Sequence, residues 1–204
     1  MSAATAGGRP DRIALICGTG TEVGKTWVAS KVIEELRARG RSVAARKPAQ
    51  SFDIDARGVR MGGATDAEVL GRASGEHPDQ VCHPLRSYRR AMAPPMAADA
   101  LGLPSFTVKE LVDELVWPEG PTDVGIVELA GGVLSPQASD GDTTHFIRAL
   151  RPDLVVLVSD AGLGTINVVR MSMAVLHAAG NAGARCSRQR PAGRGRGKGG
   201  ILSE

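Results

Sequence analysis

An apolar run that stops at a glycine, RIALICG at residues 12–18, opens directly into GTGTEVGKT at 18–26, and a helical pattern follows. A run of that length reads as a buried strand. Val28, Val32, Ile33 and Leu36 recur at helical spacing between about Gly24 and Arg39, and Gly40 supplies a C-terminal stop. Strand, Gly-rich loop and helix in that order are the context a phosphate-binding loop requires. Backbone N–H groups of Gly20, Thr21, Glu22, Val23 and Gly24 and of the helix start are expected to face a polyphosphate. Lys25 would place a point charge on the β- and γ-phosphates, and Thr26 would offer its hydroxyl to Mg²⁺. The spacing departs from G-x-x-x-x-G-K-[ST]: Thr19 stands where that pattern has its first glycine, and Gly18 lies one residue further out, so the loop is longer by one. The blander reading of the same residues is a strand-to-helix turn whose lysine is a solvated surface charge.

The rest of the chain repeats the alternation. RSVAARKP at 41–48 reads as a second strand closed by Pro48, 51–63 as loop, and Asp66 to Ala73 as a short helix. The proline-containing stretch 84–106 reads mostly as loop, and Val108 to Val116 as helix. DVGIVEL at 123–129 and DLVVLVSD at 153–160 read as strands, with helices over Asp142–Leu150 and Thr165–Ala179. Continuously apolar strands alternating with helices predict an α/β fold, a P-loop NTPase-like parallel sheet with helices on both faces. Such sheets take their ligands at the carboxyl ends of the strands, here Gly18, Lys47, Glu128 and Asp160.

Composition bounds the alternatives. With 42% hydrophobic and 23% charged residues, the 204-residue chain has ordinary globular usage. It contains no run of about 18 apolar residues, which argues against a membrane span. Residues 1–11 lack the apolar core of a secretory signal and read as an unstructured leader. Cys17, Cys82 and Cys186 are too few and too scattered for a disulfide framework or a zinc site, so a cytoplasmic setting is expected. Residues 181–204 hold five arginines and one lysine against one glutamate, a net +5, while the whole chain carries +3, so the remaining 180 residues carry −2. That tail has no periodicity and little apolar content and reads as unstructured, or as a C-terminal part truncated or altered near Asn181. The domain is then expected over 12–180. Aromatics at 3% argue against a stacking platform for nucleic acid.

Several further groups stand where a P-loop enzyme uses them, each with a plainer reading. Glu128, after the apolar VGIV, sits where a carboxylate reaches a metal, or it simply borders a loop. Asp66 in TDAEVL is by local pattern an acid of a helix's first turn, with capping its plainer role. Lys47 before Pro48 has extended backbone at a strand end, and its plainer reading is a solvated lysine. His77, His83, His145 and His177 show no metal spacing.

Taken together, these motifs resemble the dethiobiotin synthetase family. GTGTEVGKT is similar to that family's lengthened loop GTDTEVGKT, with Gly20 in place of Asp. RKPAQS at 46–51 resembles its KP-x-x-S strand end, TDA at 65–67 a small residue followed by a metal-binding Asp, and VELAGG at 127–132 its VEGAGG. SYRRAMAPPMAA at 87–98 and GLGTIN at 162–167 are similar to two further segments, and the motifs run in family order over about residues 12–180. The resemblance implies an ATP- and Mg²⁺-dependent ligase that carboxylates 7,8-diaminononanoate with carbon dioxide and closes the cyclic urea through a carbamate and a carbamic-phosphoric anhydride.

By the same resemblance Lys25 and Lys47 are catalytic and flank the transferred phosphoryl group, Thr26, Asp66 and Glu128 hold Mg²⁺, and Ser51 contacts the carbamate or diamine. Thr165, Ile166 and Asn167 receive the substrate carboxylate from the partner subunit of a homodimer. Leu129 replaces a family glycine beside the metal acid and is expected to crowd the substrate. The family continues with another strand and an adenine-binding loop where this chain has its basic tail, so no adenine contacts carry over. Two alternatives stay open: a regulatory or partitioning P-loop ATPase, whose loop has a second lysine near its start that GTGTE lacks, and an inactive truncated ligase.

Overall fold

The computed structural model describes residues 7–180 and 185–188. Strand β1 (Arg12–Gly18) leads through the 18–26 loop into helix α1 (Lys25–Ala38) and strand β2 (Val43–Arg46). A short strand β3 (Gln50–Ser51), helices α2 (Asp66–Ser74) and α3 (Pro78–Val81), strand β4 (Ser87–Tyr88), and helices α4 (Pro94–Ala100) and α5 (Val108–Asp113) follow. The second half comprises β5 (Val124–Gly132), the small strands β6 (Pro136–Ala138) and β7 (Gly141–Asp142), helix α6 (Thr143–Leu150), β8 (Leu154–Ser159), helix α7 (Thr165–Ala178) and β9 (Arg185–Arg188).

The main sheet has five strands in the order β2-β5-β1-β8-β9, all parallel, and two small two-stranded pairs lie outside it. β1 is central, with β5 on one side and β8 on the other. The crossover through α1 runs from β1 past β5 to β2, and the one through α6 runs the other way, from β5 past β1 to β8; the crevice at such a reversal lies at the carboxyl end of β1, where the 18–26 loop emerges. One face of the sheet buries Ile16, Ala45, Ile126 and Val158 against Val28, Ala29 and Ile33 of α1 and Ala67, Leu70 and Ala73 of α2. The other buries Leu15, Val127, Leu129 and Leu157 against α5, α6 and α7 through Leu111, Phe146, Ile147 and Leu176. The expected α/β fold, a P-loop NTPase-like parallel sheet covered on both faces, is the observed one.

Local chemistry explains the element starts. Asp142 caps α6, accepting from the N–H groups of Thr144 and His145, and capping boxes at Thr65/Glu68 and Thr107/Glu110 start α2 and α5. Three features depart from the sequence expectation. The stretch 84–106 is not mostly loop: Pro94 and Pro95, at the first positions of α4 where no helical N–H is needed, start a helix instead of breaking one. Arg9, from the supposed leader, donates from its guanidinium to the carbonyls of Leu150 and Arg151 at 2.9 and 2.7 Å. Within the supposed tail, Arg185–Arg188 pairs in register with Val156–Ser159, because a parallel ladder is built from backbone groups and needs no apolar pattern in the added strand. The rest of the 181–204 tail and the first six residues lie outside the described residues.

Leu129 is also corrected. It is 1% exposed and packs in the α5/α6/α7 core rather than in the crevice, because side chains alternate along β5 and Glu128 takes the opposite face. Leu129→Ala is expected to lower unfolding stability by about 2–5 kcal/mol, read as a shift of the urea midpoint. A change within about 0.5 kcal/mol would be the behaviour of a surface position and would contradict this placement.

Candidate active site

The 18–26 loop is held by β8 and by the α1/α2 core. The Thr19 N–H donates to the Val158 carbonyl at 2.9 Å, and the Thr19 hydroxyl to Ser159 Oγ at 3.1 Å, which ties the loop to β8. Val23 packs against the α1/α2 core. Gly24, the N-cap of α1, has φ 91°, a left-handed conformation that glycine adopts without a Cβ clash. Glu22 adopts φ 60° without that freedom, a backbone cost on the order of 1–3 kcal/mol. Gly20 has room for a side chain, since an added Cβ would find its nearest neighbour, Val23 Cγ1, at 3.9 Å. The missing family aspartate is therefore not excluded by packing.

Four charged groups meet beneath this loop. The Lys25 side chain folds back so that Nζ donates to the Gly20 carbonyl at 2.7 Å. Lys47, just after β2, is 2% exposed and its Nζ lies 2.7 Å from both Asp66 Oδ2 and Glu128 Oε1. The Thr26 hydroxyl reaches Asp66 Oδ1 at 2.9 Å and Glu128 Oε1 at 2.8 Å. Each residue arrives from a different element: Thr26 from α1, Asp66 from the first turn of α2, Glu128 from β5. Glu128 points to the α1/α2 side by strand alternation, the same alternation that sends Leu129 away. Thr65, not Asp66, is the N-cap of α2, which leaves the Asp66 carboxylate available to Lys47 and Thr26.

Burial sets the electrostatics. Desolvation pushes the Lys47 ammonium down, but the paired Asp66 and Glu128 outweigh it and hold its pKa above the ordinary lysine value. Lys47 in turn holds the Asp66 carboxyl below the usual range. Burial of the fully enclosed Glu128 pushes its carboxyl up, against the pull of Lys47. Lys25, desolvated and facing the charge of Lys47, lies below the ordinary lysine value.

These groups line a cleft of about 690 Å³ that also includes Thr21, Glu22, Gly24 and Ser51. The Ser51 hydroxyl donates to the Met92 carbonyl at 2.8 Å. Sequence reasoning missed the wall opposite the loop, formed by Phe52, Asp53, Met61 and Ala91–Pro94; the Pro-Pro helix start was the signal for the last of these. Thr165, Ile166 and Asn167 do not join the cleft. They start α7 elsewhere, with the Thr165 hydroxyl donating to Asp160.

The donor set can be tested against a divalent cation. It consists of hard oxygens from one hydroxyl and two carboxylates, and Glu128 Oε2 is buried with no hydrogen-bond partner. Among the described residues no group of three or more His, Cys, Asp or Glu could hold a metal. Two carboxylates and a hydroxyl are the sparse protein contribution typical of Mg²⁺, which keeps waters and takes phosphate oxygens. The residues present fit that ion.

An AAA-domain family (AAA_26) matches residues 12–185. The ATP-dependent dethiobiotin synthetase BioD of Rhodococcus jostii is 36% identical over 169 residues, covering 82% of this chain and 69% of that protein. The chain belongs to the dethiobiotin synthetase family. The synthetase of Rhodococcus erythropolis is 34% identical over 82% of this chain and 70% of its own length, so the chain spans about 70% of these relatives. Among solved structures, the kinase domain of the Escherichia coli tyrosine kinase ETK covers 91% of this chain with a TM-score of 0.53 at 18% identity, a likeness of fold alone.

The two buried lysines are expected to titrate apart. Followed through ¹³Cε shifts of labelled lysine, Lys25 should lose its proton below the ordinary lysine range while Lys47 stays charged through that window. In Lys47→Met, Lys25 should titrate at higher pH, because a repelling cation is gone and two carboxylates are released. Titration of both lysines together would contradict this arrangement.

Proposed function

We propose that the protein is an ATP-dependent carbon–nitrogen ligase that forms dethiobiotin from 7,8-diaminononanoate and carbon dioxide. The observation that carries the reading is the convergence of Lys47, Asp66, Glu128 and Thr26 under the lengthened loop, in a chain of the dethiobiotin synthetase family. Gly20 to Gly24 present loop N–H groups to the polyphosphate, and Lys25 and Thr26 continue that surface into α1. Mg²⁺, when bound, neutralises charge on the phosphates, and Thr26, Asp66 and Glu128 are the residues that would hold it.

The first amine of the diamine takes up carbon dioxide as a carbamate. The carbamate oxygen then receives the γ-phosphoryl group, with ADP leaving, and the second amine attacks the mixed anhydride carbon, expelling phosphate and closing the urea. Phosphoryl transfer of this kind depends on positioning and charge. Lys47, kept protonated by its two carboxylates, provides fixed positive charge beside the carbamate and the transferred group. Ser51 lines the adjacent wall and contacts the carbamate or diamine.

The reading includes a homodimer. Of the 14 residues of α7 only Thr165 and Leu176 are buried, while Leu163 before it and Ile166 and Met171 on it are exposed by 106%, 70% and 61%. Exposed apolar side chains of this kind suit a second copy of the chain. Thr165, Ile166 and Asn167 would then offer their N–H groups to the substrate carboxylate in the partner's cleft. No described helix is long and apolar enough to cross a membrane.

Purified protein supplied with ATP, Mg²⁺, bicarbonate and 7,8-diaminononanoate is expected to yield dethiobiotin by mass spectrometry, with turnover lost in Lys25→Ala and in Lys47→Ala. Folded, ATP-binding protein without product would overturn the ligase reading, and wild-type turnover in Lys25→Ala would remove the phosphate loop from the mechanism. Light scattering should give the dimer mass, and Met171→Asp should shift it toward the monomer. A wild-type monomer with full turnover would refute the shared site.

A further inference from the structure

We propose that the ion pair of the buried Arg46 with the partly buried Glu76 is a positioning device for Lys47, an inference that rests on the ligase reading above. The pair lies on the far side of β2 from β5, where an edge strand has unpaired backbone groups. Among the described residues no strand covers them. Glu76 Oε2 accepts the Ala45 N–H at 2.7 Å, taking the place of a ladder partner. Its other oxygen accepts from Arg46 Nη1 at 2.6 Å. The side chains are 5% and 14% exposed. Arg46 is held further: Nε donates to the Val116 carbonyl at 2.6 Å, Nη1 also donates to the Ala45 carbonyl, and the guanidinium lies 5.1 Å from the centre of the Trp117 ring. The next residue is Lys47, whose own N–H donates to the Val81 carbonyl at 2.7 Å.

The geometry couples this pair to the site through α2. Asp66, in the first turn of that helix, is ion-paired with Lys47 Nζ. Glu76 follows its C-cap, Gly75, whose φ of 81° turns the chain back so that the N–H groups of Gly75 and Glu76 both donate to the Gly71 carbonyl. A nine-residue helix is thus fastened at both ends to β2 and the residue that follows it: at one end to the Lys47 side chain, at the other to the backbone of Ala45 and the side chain of Arg46. Lys47 is 2% exposed and has carboxylates on its ammonium. Its reach therefore depends on where β2 ends relative to the start of α2, and the Arg46–Glu76 pair fixes that separation. Neither side chain lines the cleft holding Lys25 and Glu128; both border a separate cleft of about 430 Å³ with Trp117 and Pro118. They act through Lys47 and touch no reacting atom.

The test uses Glu76→Gln and, because it leaves the Arg46 charge buried without its partner, the charge-free double variant Arg46→Met/Glu76→Gln as the form expected to fold most readily. Ile147→Ala, in the core under α6, serves as a control for lost stability. Positioning predicts that kcat of folded double variant falls by about tenfold or more while KM for ATP stays near wild type, since small misplacements of a catalytic group reach about 10²-fold. It also predicts a shifted ¹⁵N resonance of the Lys47 ammonium in the double variant and an unshifted one in Ile147→Ala. Wild-type kcat together with an unmoved Lys47 resonance would show that the pair only supports the fold, and overturn the proposal. If wild-type protein makes no dethiobiotin, the ligase reading fails, and the Lys47 resonance alone still decides whether the pair positions that lysine.

Discussion

A lysine with 2% exposure, held between Asp66 and Glu128, is the constraint around which the rest of this structure is arranged. An ammonium group taken out of water is costly unless it is paired and hydrogen-bonded. Both carboxylates must therefore be delivered to it, one from α2 and one from β5. That requirement fixes which face of β5 carries Glu128, where α2 begins, and how β2 ends. Thr26, bridging the same two carboxylates from the start of α1, brings the 18–26 loop into the same cluster.

The loop and the cluster differ in what holds them. The loop depends on backbone conformation: a left-handed Gly24, an unrelieved left-handed Glu22, and ties from Thr19 to β8. The cluster depends on charge balance within low exposure. Two lysines and two carboxylates meet there, and only Lys47 has carboxylates at ion-pair distance; Lys25 turns to the Gly20 carbonyl. Of these two lysines Lys25 is consequently the one whose charge the protein satisfies less, and it sits with the cluster beneath the loop.

Much of this was legible in the chain. The phosphate-loop context and the alternation of strands with helices follow from local pattern, and the family resemblance rests on motifs in order; Glu128 was expected at a strand end, but β5 runs on to Gly132. Other features were not. Leu129 reads as a cleft residue because VEL sits beside VEGAGG in the resemblance. A strand covered on both faces is apolar at every position, so sequence does not show which face a residue takes. The helix at Pro94 was hidden because proline is read as a breaker unless its position in the first turn is known. β9 was hidden because pairing to an existing edge uses only backbone groups.

The amino-acid sequence by itself determined the local elements, the loop that joins β1 to α1, and the chemical kinds of residue available to a site. These are set by hydrophobic period, glycine and proline placement, and capping side chains, all of which act over a few residues. Tertiary structure alone decided which groups meet. Lys47 and Glu128 are 81 residues apart and Thr26 and Glu128 are 102 apart, and Glu76 closes an edge strand that lies 31 residues before it. Such contacts depend on parallel register and on which helix covers which face of the sheet. No local pattern encodes those relations, because they arise only when distant segments bury their apolar faces against one another.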